Sequence, residues 1–255
     1  MTGARGRRGG KRRVDEILVE RGLAEDLTRA RALVLAGRVV VADQRAASAG
    51  QLIRPTDQVR VKEGRGPWVG RGAEKLKGAV IDFDLEGFFT DRVILDVGAS
   101  TGGFTQFAID QGARQVIALD VGTNQLDWRL RQDPRVIVRE KTDIRDLRMD
   151  GLPAVERVVC DVSFVSLAKL VPSLIAAGGP TACYLVLVKP QFELSRELIP
   201  DGGVVVDDGL RARALQMVMQ AFESCGGPWT MRSADARVEG RTGNREIFLF
   251  VEPQK

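Results

Sequence analysis

The stretch LDVGASTGGF, residues 95–104, decides how the rest of the chain is read. The apolar run RVILDV (92–97) carries an acid, Asp96, at its end and gives way at once to small residues. The helical pattern GFTQFAIDQGA (103–113) follows. A buried strand, a glycine turn and a helix form one unit of a doubly wound sheet, and ligands of such sheets lie past the carboxyl ends of the strands. Glycines at 98, 102 and 103 predict a close approach to the backbone at this turn.

The same alternation continues outward. QVIALDV (115–121), RVIVRE (135–140), VERVVCDV (155–162), ACYLVLVK (182–189) and REIFLFVE (245–252) read as further strands. AEKLKGAVIDF (73–83), QLDWRLRQD (125–133), SLAKLVPSLIAA (166–177) and DDGLRARALQMVMQAFESCG (207–226) read as helices. Strands that alternate with helices predict an α/β fold with a mostly parallel, doubly wound sheet. Their near-continuous apolar character suits strands buried on both faces.

The ligand follows from the turn and from three acids. A dinucleotide fingerprint needs glycine at position 100, where Ser100 stands. Asp96 closes the first strand. Asp120 closes the next, 22 residues after Gly98, where a carboxylate can meet a ribose diol. Asp143 follows the third strand. Acids at successive strand ends suit S-adenosylmethionine, which is cationic and has no phosphate, better than a nicotinamide cofactor. The candidate cofactor contacts are Asp96, Gly98, Ser100, Thr101, Gly102, Gly103, Phe104, Asp120, Asp143 and Asp161.

The chain has no histidine, which excludes Ser-His and Cys-His mechanisms and imidazole metal sites. No metal site is expected. Three scattered cysteines suit a reducing, cytoplasmic setting, and no apolar run reaches the length of a membrane span. The base must be a lysine or a carboxylate. Lys189 closes the fifth strand, Asp161 follows the fourth, Lys75 precedes the first and Glu246 opens the last. Singly, each reads as an ordinary salt-bridge residue. Together they resemble the Lys-Asp-Lys-Glu set of the FtsJ-like ribose 2′-O-methyltransferases, which implies a catalytic role for all four. Lys189 is the candidate base.

The first 63 residues hold 14 Lys+Arg against 8 Asp+Glu, a net +6, so the basic excess belongs to the N-terminal quarter and favours a polyanionic partner. VDEILVERGLA (14–24) is a helical run, and LTRARALVLAGRVVV (27–41) opens with a second that Gly37 ends, Leu27, Ala30, Leu33 and Val34 forming its apolar stripe. With the strands RVVVAD (38–43) and DQVRVKE (57–63) they resemble the S4 RNA-binding domain. Arg12, Arg13, Arg29, Arg31, Arg38 and Arg71 are the candidate RNA contacts. The expected boundaries are a basic tail at 1–13, an S4-like domain at 14–63, a linker at 64–70 and a methyltransferase domain at 71–255.

Taken together, RGAEKL (71–76), DVGASTGGFT (96–105), DVSFVSL (161–167), VKPQFE (188–193), GGVVVDD (202–208) and GNREIFL (243–249) resemble the TlyA family of ribosomal RNA cytidine 2′-O-methyltransferases over residues 14–252. The resemblance implies a Rossmann-like seven-stranded sheet, S-adenosylmethionine as cofactor, and ribosomal RNA or a ribosomal subunit as partner. Two positions depart from the family pattern. Glu74 stands where histidine is usual, and GPWV (66–69) has Gly66 and Pro67 where the family linker begins with arginine. A catalytically inactive ribosome-assembly factor and a membrane-active haemolysin are the alternative readings.

Overall fold

The computed structural model describes residues 11–35, 37–42, 44–61, 68–240 and 243–254. The chain divides into two compact units, Met1–Pro67 and Trp68–Lys255.

In the first unit, β1 (Arg12–Arg13) leads into α1 (Val14–Glu20), followed by α2 (Leu27–Leu35), β2 (Val39–Val41), β3 (Gln44–Arg45), β4 (Leu52–Ile53) and β5 (Val59–Val61). β1 pairs with β4, and β3, β2 and β5 form a small antiparallel sheet. Val14, Ile17 and Leu18 of α1 close over Ala30, Leu33 and Val34 of α2 and over Val39, Val41 and Ile53. Leu27, expected on the apolar stripe, opens α2 and is 42% exposed. Arg12 and Arg13 form a strand where a tail was expected, because Ile53 and Leu52 supply backbone partners. The candidate tail residues 1–10 lie outside the described residues.

The second unit begins with α3 (Gly72–Asp82) and then alternates: β6 (Val93–Val97), α4 (Gly103–Asp110), β7 (Gln115–Asp120), α5 (Trp128–Arg131), β8 (Val136–Glu140), β9 (Arg157–Cys160), α6 (Val171–Gly178), β10 (Cys183–Val188), α7 (Pro190–Glu193), α8 (Asp208–Ser224), β11 (Trp229–Asp235) and β12 (Ile247–Pro253). The seven-stranded order is β11-β12-β10-β9-β6-β7-β8, parallel from β10 through β8 and antiparallel at β12 and β11. Strand order reverses at β6, which is the topological switch point where such sheets bind ligands. Every β6 residue is buried. Val93, Leu95 and Val97 face the core made with α6 and α8, and Ile94 faces the core made with α3 and α4.

Three differences from the sequence reading have local causes. The edge strand β11 was not among the six legible runs, because its residues are mostly half-buried or exposed rather than a continuous apolar run. The helix expected over 166–177 begins only at Val171, since Pro172 opens it and the preceding turn has other partners. The expected linker ends earlier than residue 70. Trp68 packs edge-on against Phe107 at 6.0 Å, and the Val69 amide donates to Gln106 at 2.7 Å. Residues 62–67 lie outside the described residues.

Candidate active site

The glycine turn after β6 is explained first by the protein itself. A Cβ on Gly98 would lie 2.7 Å from the Asp161 carbonyl oxygen, and one on Gly103 would crowd the Gly72–Ala73 backbone at 3.0–3.2 Å. Gly102 caps α4 at φ 97°, and a Cβ there would run into Leu130 and lie 2.8 Å from the Leu126 Cδ1. The close approach predicted from the glycines is thus made by neighbouring strands and helices. Gly102→Val is therefore expected to destabilise the fold as well as to abolish S-adenosylmethionine binding, because the left-handed backbone and both leucines oppose the branched side chain. Thermal melts beside calorimetry check this. An unchanged melting temperature with normal affinity would contradict it.

The expected cofactor residues separate into two groups. Gly98, Asp120, Asp143 and Asp161 are part-exposed, and Ser100 and Thr101 are exposed. Gly102, Gly103, Phe104 and Asp96 are buried. Phe104 stacks on Phe248 at 6.2 Å as a core residue. Asp120 Oδ2 accepts from the Ser100 amide and Oδ1 from the Gly122 amide, both at 2.7 Å, so this carboxylate organises the turn. Asp143 is paired with Arg145 at 2.6 Å, and that hydrogen bond holds its carboxyl below the usual range.

Asp96 is fully buried and does not present its carboxylate to a ligand surface. Strand alternation explains this. Asp96 shares a face with Ile94, toward α4, where Thr105 donates to Oδ2 at 2.6 Å. Burial, reinforced by Asp161, pushes the Asp96 carboxyl up to about 7. Because the folded state binds this proton more tightly than the unfolded state, Asp96 costs stability as pH rises from about 4 through about 7. Asp96→Asn is expected to flatten the pH dependence of the denaturation midpoint in that window. A constant difference between variant and wild type across it would contradict the assignment.

The four candidate catalytic residues form two ion pairs at the carboxyl end of the parallel strands. Lys189 follows β10 and is 8% exposed. Its Nζ lies 2.6 Å from Asp161 Oδ1 and donates to Ser163 Oγ at 2.8 Å. Lys75 on α3 is buried and pairs with buried Glu246 at 2.5 Å. β10 and β12 pair Val188 with Ile247, so one more step of the ladder sets Lys189 beside Glu246. β9 and β6 pair Cys160 with Val97, so the next step sets Asp161 beside Gly98. A buried ion pair, Lys75–Glu246, and a part-exposed one, Lys189–Asp161, therefore stand next to the glycine turn. Glu74 is exposed while Lys75 is buried against Glu246, so the departure there leaves the Lys75 partner in place.

Three groups escaped the sequence reading. Phe164 is 91% exposed with φ 66°, and its ring lies 5.3 Å from Phe192 beside Lys189. Glu193 is buried and accepts three hydrogen bonds from residues 166–168. Asp15 in the first unit is fully buried and binds both Arg13 (2.9 and 2.7 Å) and Arg31 (3.0 Å); the Arg13 hydrogen bond leads in drawing its carboxyl down to about 2. Among the other candidate RNA contacts, Arg12 pairs with Glu20 at 2.6 Å and Arg71 donates to the Glu239 carbonyl at 2.6 Å. Arg29 is exposed and Arg38 part-exposed.

The chain matches the FtsJ-like methyltransferase family over residues 68–251 and the S4 domain over residues 12–59. It is 40% identical to the 16S/23S rRNA (cytidine-2′-O)-methyltransferase TlyA of Mycobacterium tuberculosis over 245 residues, 95% of this chain and 90% of that protein. The chain belongs to the TlyA family of FtsJ-like methyltransferases. A relative from Brachyspira hyodysenteriae, named Hemolysin A, is 35% identical over 92% of this chain and 98% of its own. A solved structure described as a hemolysin from Streptococcus thermophilus superposes with a TM-score of 0.70 at 33% identity, covering 96% of this chain and 90% of that one. TlyA-family membership makes the chain an S-adenosylmethionine-dependent methyltransferase. The site fits that cofactor: Asp120, Asp143 and Asp161 are part-exposed at the strand ends, where a cationic, diol-bearing ligand can meet them. Among the described residues no helix is long and apolar enough to cross a membrane, and no group of three His, Cys, Asp or Glu is placed to hold a metal.

Proposed function

We propose that the protein transfers a methyl group to the 2′-hydroxyl of a cytidine in ribosomal RNA. The observation that carries this reading is the Lys189–Asp161 contact beside the buried Lys75–Glu246 pair, next to the glycine turn. S-adenosylmethionine, when bound, supplies an electrophilic methyl carbon on a sulfonium. Asp120, Ser100, Thr101, Gly98 and Asp143 would hold it from the strand ends, with Asp96 and Gly102 shaping the turn from behind. Lys189 takes the 2′-hydroxyl proton. Asp161 orients the amine, and Lys75 with Glu246 fixes the neighbouring wall. Phe164, exposed at the mouth, offers its ring face to a nucleic-acid base. The basic first unit holds structured RNA through phosphate contacts from Arg12, Arg13, Arg29, Arg31 and Arg38, with Arg71 contributing from the second unit. Asp15 sets the angle of two of these guanidiniums.

Incubating the purified protein with labelled S-adenosylmethionine and ribosomal subunits, then digesting the RNA to nucleosides, tests this reading. Label in 2′-O-methylcytidine is expected. Label only in a methylated base, or none in RNA, would contradict it. Binding should weaken steeply with salt as displaced counterions return to the phosphates, and deletion of residues 1–61 should remove most of that salt dependence. An unchanged salt slope in the deletion would move the RNA contacts out of the first unit.

A further inference from the structure

We propose that Glu193 is a positioning residue that holds the loop carrying Asp161, Ser163 and Phe164 against the segment carrying Lys189. The proposal rests on the catalytic reading of Lys189 and Asp161 given above.

Two segments leave the adjacent parallel strands β9 and β10 side by side. One runs from Asp161 to Ala168 and the other from Lys189 to Glu193. They are joined at three levels. At the head, Lys189 meets Asp161 at 2.6 Å and Ser163 at 2.8 Å. In the middle, the rings of Phe164 and Phe192 lie 5.3 Å apart. At the foot, Glu193 Oε1 accepts from the Leu167 amide at 2.6 Å, while Oε2 accepts from the Ser166 hydroxyl at 2.7 Å and the Ala168 amide at 3.2 Å.

Glu193 is 6% exposed, and burial pushes its carboxyl up. No guanidinium or ammonium contacts it at salt-bridge distance among the described residues. A buried carboxylate is costly unless its acceptor sites are filled, and these three donors fill them. The same donors are amides and a hydroxyl that the sequence pattern assigns to the start of a helix. Glu193 captures them, and α6 begins only at Val171. The captured turn carries Phe164 in the left-handed backbone region, at φ 66°. A non-glycine residue keeps that conformation only where its surroundings over-determine it. Glu193 anchors the turn on the far side of Phe164 from Asp161, so both ends of the strained residue are fixed. Loss of the anchor would let the turn relax and shift Ser163 and Asp161 relative to the Lys189 amine, and small misplacements of reacting groups carry large rate costs.

The test compares Glu193→Gln, Ser166→Ala and Lys189→Met with wild type. It measures methyl transfer from labelled S-adenosylmethionine to ribosomal subunits, cofactor affinity by calorimetry, and thermal stability. Glu193→Gln keeps the shape but turns one acceptor oxygen into a donor that faces other donors. It is expected to bind S-adenosylmethionine within about twofold of wild type, to lose about tenfold or more in kcat with a smaller change in KM, and to displace the pH profile of kcat. Ser166→Ala removes one of the three donors and guards against a Glu193 variant that fails to fold; a loss of a few-fold in kcat in the same direction is expected. A lower melting temperature with unchanged kcat and a superimposable pH profile, in whichever of the two variants folds, would overturn the proposal and leave Glu193 a purely structural residue. Lys189→Met separates this outcome from failure of the catalytic reading. Normal transfer by Lys189→Met removes the base itself. Dead Lys189→Met beside normal Glu193→Gln and Ser166→Ala removes only the positioning role.

Discussion

Lys189→Met is expected to bind S-adenosylmethionine and RNA about as well as wild type and to lose methyl transfer by about 10² or more, the usual scale of a general base. Methionine keeps much of the length and apolar character of the lysine stem and removes the ammonium that lies 6.0 Å from the Phe192 ring centre. The Asp161 side chain, left without its partner, is 21% exposed, so water can take over part of its solvation. The competing role for Lys189 is charge neutralisation alone. Lys189→Arg distinguishes the two, because arginine keeps the charge and cannot give up a proton at accessible pH. Single-turnover transfer by Lys189→Arg near the wild-type rate would eliminate Lys189 as the base and make Lys75 the next candidate.

Glu246→Ala is expected to lower stability by about 3–5 kcal/mol, since it strands the Lys75 ammonium in a buried site. The two side chains are 9% and 4% exposed, so solvent offers little relief. Replacing both partners with apolar residues, Lys75→Met with Glu246→Leu, should recover most of that loss, because the desolvation penalty of both charges disappears together. Activity should not return with stability if the pair holds the wall of the reaction site. Urea denaturation and methyl transfer, measured on the single and double variants, check both halves. A double variant that is stable and active would make the pair a structural feature only.

The sheet was legible because its inner strands are buried on both faces and read as apolar runs. β11 was not, because an edge strand alternates with solvent and its polar residues imitate a loop. The four catalytic candidates were legible as residues at strand and helix ends. Their pairing was not, since register joins Lys189 to Glu246 and Asp161 to Gly98 across elements distant in sequence. The glycine turn was legible as a site of close approach; that Asp161, Leu126, Leu130 and α3 make part of the approach was not, because they are distant in sequence. Asp96 shows what the period of two can add: its face is that of Ile94, which is core. Glu193 and Asp15 carry no local signal, because an isolated acid reads as surface until the donors it gathers are seen.

Mapping of 2′-O-methyl groups on ribosomal RNA, in cells with the protein, without it, and with only the Lys189→Met form, tests the central claim most directly. Methylation at one or a few cytidine riboses should be present with the wild-type protein and absent in both other strains. Identical methylation maps in all three strains, or a difference confined to base methylation, would contradict it.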